Sequence, residues 1–136
     1  MEEQSNMLPT LLFSVLCDDV RREDNGKFML IGLFETIGTS KFPASHPALF
    51  VVNCWIKGLG TFTQHTRILN PKKEVLVKDN PTQFTLDDLN AKHTVIARFN
   101  NVCFQEPGFY SIEVMIENRL MVSYPVLVEQ RSGAPR

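Results

Sequence analysis

The signals that usually announce a function are scarce in this chain of 136 residues. Its three cysteines, Cys17, Cys54 and Cys103, lie far apart with no C-x-x-C spacing. An odd, scattered set fits reduced intracellular thiols better than a disulfide framework. The three histidines, His46, His65 and His93, show neither H-x-x-x-H nor Cys/His ligand spacing, so no metal is expected. There is no G-x-S-x-G elbow for a serine nucleophile. Gly58-Leu59-Gly60 is too short, and in the wrong context, to cradle a phosphate. Neither sign of charge dominates: 14 basic and 15 acidic residues leave a net −1, which excludes both the basic footprint of a nucleic-acid binder and an acidic interaction tail. No run approaches the ~20 apolar residues of a membrane-spanning helix. The opening residues are acidic where a secretory signal would be basic. Together these absences predict a cytoplasmic protein, not an enzyme, with no cofactor, no metal, and no nucleic-acid or membrane partner.

What is present is strand. Hydrophobic residues make up 43% of the chain, enough for a real core, and the length suits one domain. The pattern predicts a single β-sandwich domain over 10–128, with a loose arm at 1–9 and a frayed tail at 129–136. Asn25-Gly26 between two apolar runs, Thr10 to Cys17 and Lys27 to Ile37, predicts a founding β-hairpin closed by a type I′ turn. The second run is apolar on both faces and is therefore expected to be covered on both. Gly38 to Pro47 reads as an extended connection. Leu49 to Lys57 alternates, with Phe50, Val52, Cys54 and Ile56 expected inward and Val51, Asn53, Trp55 and Lys57 on a mixed outer face. A turn at Gly58-Leu59-Gly60 then makes a hairpin with Thr61 to Leu69, setting Ile56 opposite Phe62.

Further strands are expected at Glu74 to Lys78, at Gln83 to Leu86, and at His93 to Phe104 with an irregularity near Asn100-Asn101. The last hairpin is Phe109 to Glu117 with Leu120 to Val128, the latter pointing Leu120, Val122, Tyr124, Val126 and Val128 inward. About eight short strands with turn signals between them and no need of a helix indicate an all-β antiparallel sandwich.

The segment Pro107-Gly-Phe-Tyr-Ser-Ile-Glu-Val and the strand after it resemble the last hairpin of immunoglobulin-like sandwiches. In those, a tyrosine at the position of Tyr110 bonds back to the backbone as a corner lock. A second resemblance is wider. Cys17-Asp-Asp-Val, the run Gly26-Lys-Phe-Met-Leu-Ile-Gly-Leu-Phe and Phe42-Pro-Ala are similar to a bacterial family of short uncharacterised proteins, over about Leu11 to Val128. Members are known only as a domain of unknown function, so that resemblance implies a fold and no activity. Trp55 departs from the immunoglobulin pattern, since its parity assigns it to the mixed face and no cysteine pair brackets it.

Among residues able to do chemistry, the carboxylate pairs Asp18-Asp19 and Asp87-Asp88 stand out. Neighbours on a strand point to opposite faces, so neither pair acts as a unit, and solvated turn charge is the simpler reading. Pairing outward from the Asn25-Gly26 turn sets Asp19 opposite Gly32, where a buried carboxylate would need Arg21 as partner. The sharper expectation concerns a surface. If the two hairpins lie side by side, Trp55, His65, Arg67, Phe109, Met115 and Met121 gather on one exposed sheet, and these residue types are enriched at interfaces. The sequence therefore predicts a protein-interaction or structural module that binds a protein partner or itself through that face. The alternative is a small-ligand or glycan-binding module stacking a sugar on Trp55, and the third reading is an enzyme using Asp18 and Asp19.

Overall fold

The structure, a computed structural model, describes residues 6–132. Ten strands carry it: β1 (Thr10–Arg22), β2 (Phe28–Phe34), β3 (Thr36–Thr39), β4 (Ala44–Ile56), β5 (Gly60–Leu69), β6 (Val75–Lys78), β7 (Thr82–Leu86), β8 (Lys92–Phe104), β9 (Gly108–Ile116) and β10 (Arg119–Gln130). They form two sheets. One has the order β2-β1-β4-β8; the other runs β3-β10-β9-β5-β6, with β7 also paired to β5. The described residues contain no helix, so none is long and apolar enough to cross a membrane. The all-β sandwich expected from the strand pattern is the fold observed, with β3 as the strand that the pattern missed.

The founding hairpin is present, but its turn differs. Gly26 N donates to Glu23 O at 2.9 Å and Glu23 N donates to Lys27 O at 2.8 Å, leaving a three-residue loop of Asp24, Asn25 and Gly26. Gly26 alone there is left-handed, at φ 89°. This is a type I turn followed by a glycine bulge, not a type I′ turn. The Asn25 side chain completes it by accepting from Lys27 N at 3.0 Å. The extra loop residue moves the register by one, so Asp19 lies opposite Ile31 and not Gly32.

At Glu35 the run expected as one strand divides. β2 stays on the four-stranded sheet, whereas β3 crosses to the other and pairs in parallel with β10, Leu127 opposite Thr36 through Gln130 opposite Thr39. β2 is left at the sheet edge. Met29, Ile31 and Leu33 are 44%, 42% and 59% exposed, which corrects the expectation that both faces of this strand are covered.

The largest correction concerns β4 and β5. They are not a hairpin. β4 lies between β1 and β8, while β5 lies in the opposite sheet beside β9, so Gly58-Leu59-Gly60 carries the chain from one sheet to the other. The inward parity of β4 is also the reverse of that expected. Leu49, Val51 and Trp55 belong to the inter-sheet core with Phe62, Ile68, Phe104, Ile112 and Val128. Phe50, Val52 and Cys17 form a second, smaller apolar cluster. Phe50 through Trp55 are all buried, so both faces of β4 are covered. Trp55 stacks on Phe84 with ring centroids 6.1 Å apart and a 20° tilt, and its Nε1 donates to Gln64 Oε1 at 2.9 Å. Asn53 Nδ2 donates to the same oxygen at 3.1 Å and to Thr66 Oγ1 at 3.2 Å, tying the two sheets together across the core.

The second half follows the sequence more closely. Tyr110, Ile112, Val114 and Ile116 face the core. The Tyr110 hydroxyl donates to Glu106 O at 2.7 Å, the corner lock expected of it. The irregularity at Asn100-Asn101 is one left-handed residue, Asn101 at φ 52°, with the β4–β8 register unbroken around it. A bulge between Leu120 and Val122 changes the parity of β10: Leu120 is exposed and Met121 packs against the core. At the ends, Met7 and Leu59 exchange backbone hydrogen bonds at 3.0 and 2.9 Å, and β10 continues to Gln130. Most of the expected arm and tail, residues 1–5 and 133–136, lies outside the described residues.

Candidate functional site

The surface expected around Trp55 does not assemble. Trp55 is fully buried between the sheets and so out of a partner's reach, and Met121 is half-buried against the core instead of standing on the outer face. A sugar stacking on Trp55 is excluded by the same burial. His65, Arg67, Phe109 and Met115 do share the outer face of the six-stranded sheet, with His65 opposite Met115 and Arg67 opposite Glu113. Arg67 Nε donates to Glu113 Oε1 at 2.7 Å, and Lys73 Nζ donates to Ser111 Oγ at 3.1 Å. These polar pairs separate Phe109, 61% exposed, from Met115, which is only 8% exposed. What remains is an isolated aromatic, not a patch.

Two other features emerge. The first is the free edge of β2. A long, flat, apolar edge strand is an invitation to pair with another chain, and proteins usually blunt it with lysine, proline or a charge. β2 reads Phe-Met-Leu-Ile-Gly-Leu-Phe, with no polar side chain at all. The opposite edge strand of that sheet, β8, carries Lys92, Arg98 and Asn100. On the other sheet, β3 has four residues and β6 ends on Lys78.

The second is a cleft of about 870 Å³ where β3 and the start of β4 meet the middle of β1. Asp18 and His46 face each other in it, His46 Nε2 lying 3.9 Å from Asp18 Oδ1, too far for a direct hydrogen bond. Asp18 stands where it does because Gly32 makes room: a Cβ on Gly32 would come within 2.5 Å of Asp18 Oδ2. Gly32 is also left-handed, at φ 70°, a conformation that other residues adopt at a cost. Phe34 and Phe104 supply apolar lining, and Arg131 lies along another wall. Asp19 turns to a different partner, accepting from Arg21 Nε at 2.7 Å, and this neighbour holds its carboxyl below the usual range. The adjacent carboxylates are therefore split between an ion pair and a cleft and offer no paired acid–base site. Among the described residues no three His, Cys, Asp or Glu side chains cluster as metal ligands. The sequence did carry one sign of the cleft, the Asp-Asp pair itself, but its link to His46 and Arg131 runs through the crossover at Glu35, which parity does not show.

Burial pushes the His46 imidazole below its ordinary pKa, with the Asp18 charge opposing. Native protein thus prefers neutral His46, and stability is lost as pH falls from the ordinary histidine value of 6.5 through the depressed native one. Asp18→Asn should lower the His46 midpoint further, because it removes an opposing charge; a midpoint that rises in an NMR titration would show that the two side chains do not sense each other.

No curated protein matches the chain. The sequence model of the family of unknown function DUF6941 matches residues 12–129, which span nearly the whole sandwich from β1 to β10. This chain, as its motifs between Cys17 and Phe42 suggested, belongs to the DUF6941 family, a family of unknown function.

Proposed function

We propose that the protein is a non-catalytic β-sandwich that works through protein–protein contact, pairing with a second copy of itself along β2. The observation that carries this reading is the uncharged edge formed by Phe28–Phe34, interrupted at the left-handed Gly32, with Met29, Ile31 and Leu33 each more than two-fifths exposed. A second copy suits that edge better than an arbitrary partner. Two β2 strands running antiparallel about Ile31 set Met29 opposite Leu33 and Phe28 opposite Phe34, uncharged against uncharged. One residue further out, Lys27 of each copy meets Glu35 of the other, so opposite charges close both ends. Cross-strand pairs of this kind contribute about 0.2–1 kcal/mol each, and the twofold arrangement makes every contact twice apart from Ile31 on Ile31 at the axis.

The wider reading places this module in the cytoplasm, in keeping with Cys17 and Cys54 as buried apolar thiols. It also relates the sandwich to the immunoglobulin-like class, which the Tyr110 lock and the parallel β3–β10 pair support.

Light scattering across a dilution series tests the pairing. Wild type should be a dimer, and Ile31→Lys should be a folded monomer. Lys27→Glu should weaken the dimer about tenfold, since two attractive pairs become repulsive, and Lys27→Glu/Glu35→Lys should restore it. A wild type that stays monomeric at every concentration, or a dimer untouched by Ile31→Lys, removes the proposal. Retention of some other protein from a lysate by a monomeric wild type would assign the edge to a different occupant and equally overturn self-pairing.

A further inference from the structure

From the Asp18–His46 cleft we infer a second, separate site, one that takes a small neutral polyol of about monosaccharide size. It rests on other observations than the β2 pairing, although Phe34 of β2 forms part of its wall. The argument begins with charge. Of the charged groups lining the cleft, Arg131 is neutralised by Glu129, whose Oε2 lies 2.8 Å from Nε and 2.7 Å from Nη2. His46 prefers its neutral form because it is desolvated. Asp18 makes no hydrogen bond or close ion pair among the described residues, and its side chain is 61% exposed. An anionic ligand would meet the Asp18 carboxylate with no unpaired cation to balance it. A cationic ligand would gain one half-exposed, screened contact, which is worth little.

The remaining lining is suited to a molecule that both donates and accepts. A carboxylate accepts two hydrogen bonds, and neutral imidazole supplies one donor and one acceptor. The 3.9 Å gap between Asp18 Oδ1 and His46 Nε2 leaves both groups unsatisfied by each other and open to hydroxyls from the same ligand. Thr36 and Ser45 are also among the polar residues that line the cleft. Phe34 lies beside His46 with ring centroids 6.1 Å apart and contributes an apolar surface for the C–H face of a sugar ring. A cleft of about 870 Å³ is ample for one such ring.

Both ends of the site are held by close approach. Asp18 packs over Gly32, and Arg131 lies across Gly38, where a Cβ would come within 2.8 Å of its side chain. Arg131 is fixed again by its own backbone, whose N–H donates to Thr39 O at 2.8 Å. The Arg131 end is thus placed before a ligand arrives, which lowers the ordering cost of binding there.

The test uses the full chain and a panel of methyl β-glucoside, methyl α-mannoside, galactose and N-acetylglucosamine, followed by amide and imidazole NMR shifts. At least one sugar should shift His46, Ser45 and Thr36 in a saturable way and leave Phe109 and Leu120 unmoved. Asp18→Asn and His46→Gln should each weaken that binding about threefold or more. The second variant keeps the test valid if the first does not fold. Acetate and methylammonium, run as single-charge probes, should produce no saturable shift at these residues. Absence of any shift up to the solubility of the sugars, binding that survives both variants, or saturation by either charged probe instead would each overturn the inference. Because Phe34 lines the cleft and also belongs to β2, the titration is run on wild type and on Ile31→Lys, so that failure here and failure of the β2 pairing are read separately.

Discussion

Trp55→Ala should destabilise the fold by about 3–5 kcal/mol, the usual cost of truncating a large buried aromatic. The side chain is fully buried, stacks on Phe84 and donates its indole N–H to Gln64. Its removal opens a cavity between the sheets where Leu11 and Phe62 also pack, and β4, held on both sides by β1 and β8, has little freedom to collapse into it. Against a total stability of about 5–15 kcal/mol this is a large fraction. Trp55→Glu should fare worse and leave no folded population, because it buries an unpaired charge. Phe109→Ala is the control: that ring is 61% exposed, and the change should fall within about 0.5 kcal/mol of wild type. Urea unfolding followed by circular dichroism measures all three, since Trp55 is the sole tryptophan and fluorescence disappears with it. If Trp55→Ala proved as mild as Phe109→Ala, the inward placement of β4 would be wrong.

That placement is the point on which sequence and structure differ most, and the reason is physical. Alternation identifies the buried face of a strand only when the other face is wet. On β4 neither is. Residues Phe50, Val52 and Cys54 look like the better core set, and they are buried, but Phe50 and Val52 pack against Cys17 and its neighbours on the far side of the sheet. The set that faces the opposite sheet contains Asn53, and a single asparagine biases any reading of hydropathy outward. Where one face is polar the same reasoning succeeds, as on β9, where Tyr110, Ile112, Val114 and Ile116 alternate with Phe109, Ser111 and Glu113. The Asn25-Gly26 hairpin lies between these cases. Its existence was legible from the dipeptide, but the loop length was not, and one extra residue exchanged Asp19 for Asp18 as the side chain over Gly32. Of the site, the carboxylate pair could be read in sequence. The cleft could not, because His46 and Arg131 reach it only through a crossover and a parallel strand.

Gln64→Leu should cost about 2–4 kcal/mol, although it replaces a buried polar side chain by an apolar one of similar volume. Gln64 Oε1 accepts from both Trp55 Nε1 and Asn53 Nδ2. With it gone the indole N–H has no partner, and Asn53 keeps only Thr66; each buried donor left unsatisfied costs about 1–3 kcal/mol. The network is already short of partners, since Asn53 Oδ1 and Gln64 Nε2 make no protein hydrogen bond among the described residues, and partly satisfied networks are sensitive to further loss. Trp55→Phe should be milder, because Gln64 Oε1 still accepts from Asn53. The double variant Trp55→Phe/Gln64→Leu removes the donor along with its acceptor, and it should be more stable than the sum of the two single losses implies. A double-mutant cycle should give a coupling of about 1–2 kcal/mol, within the range seen for residues in one hydrogen-bonded network. Strict additivity would mean that the indole and the amide do not interact. The stacking of β4 over β5 would then rest on apolar packing alone, and the reason these strands face each other across the core, instead of pairing edge to edge, would have to lie in the turn at Gly58-Leu59-Gly60.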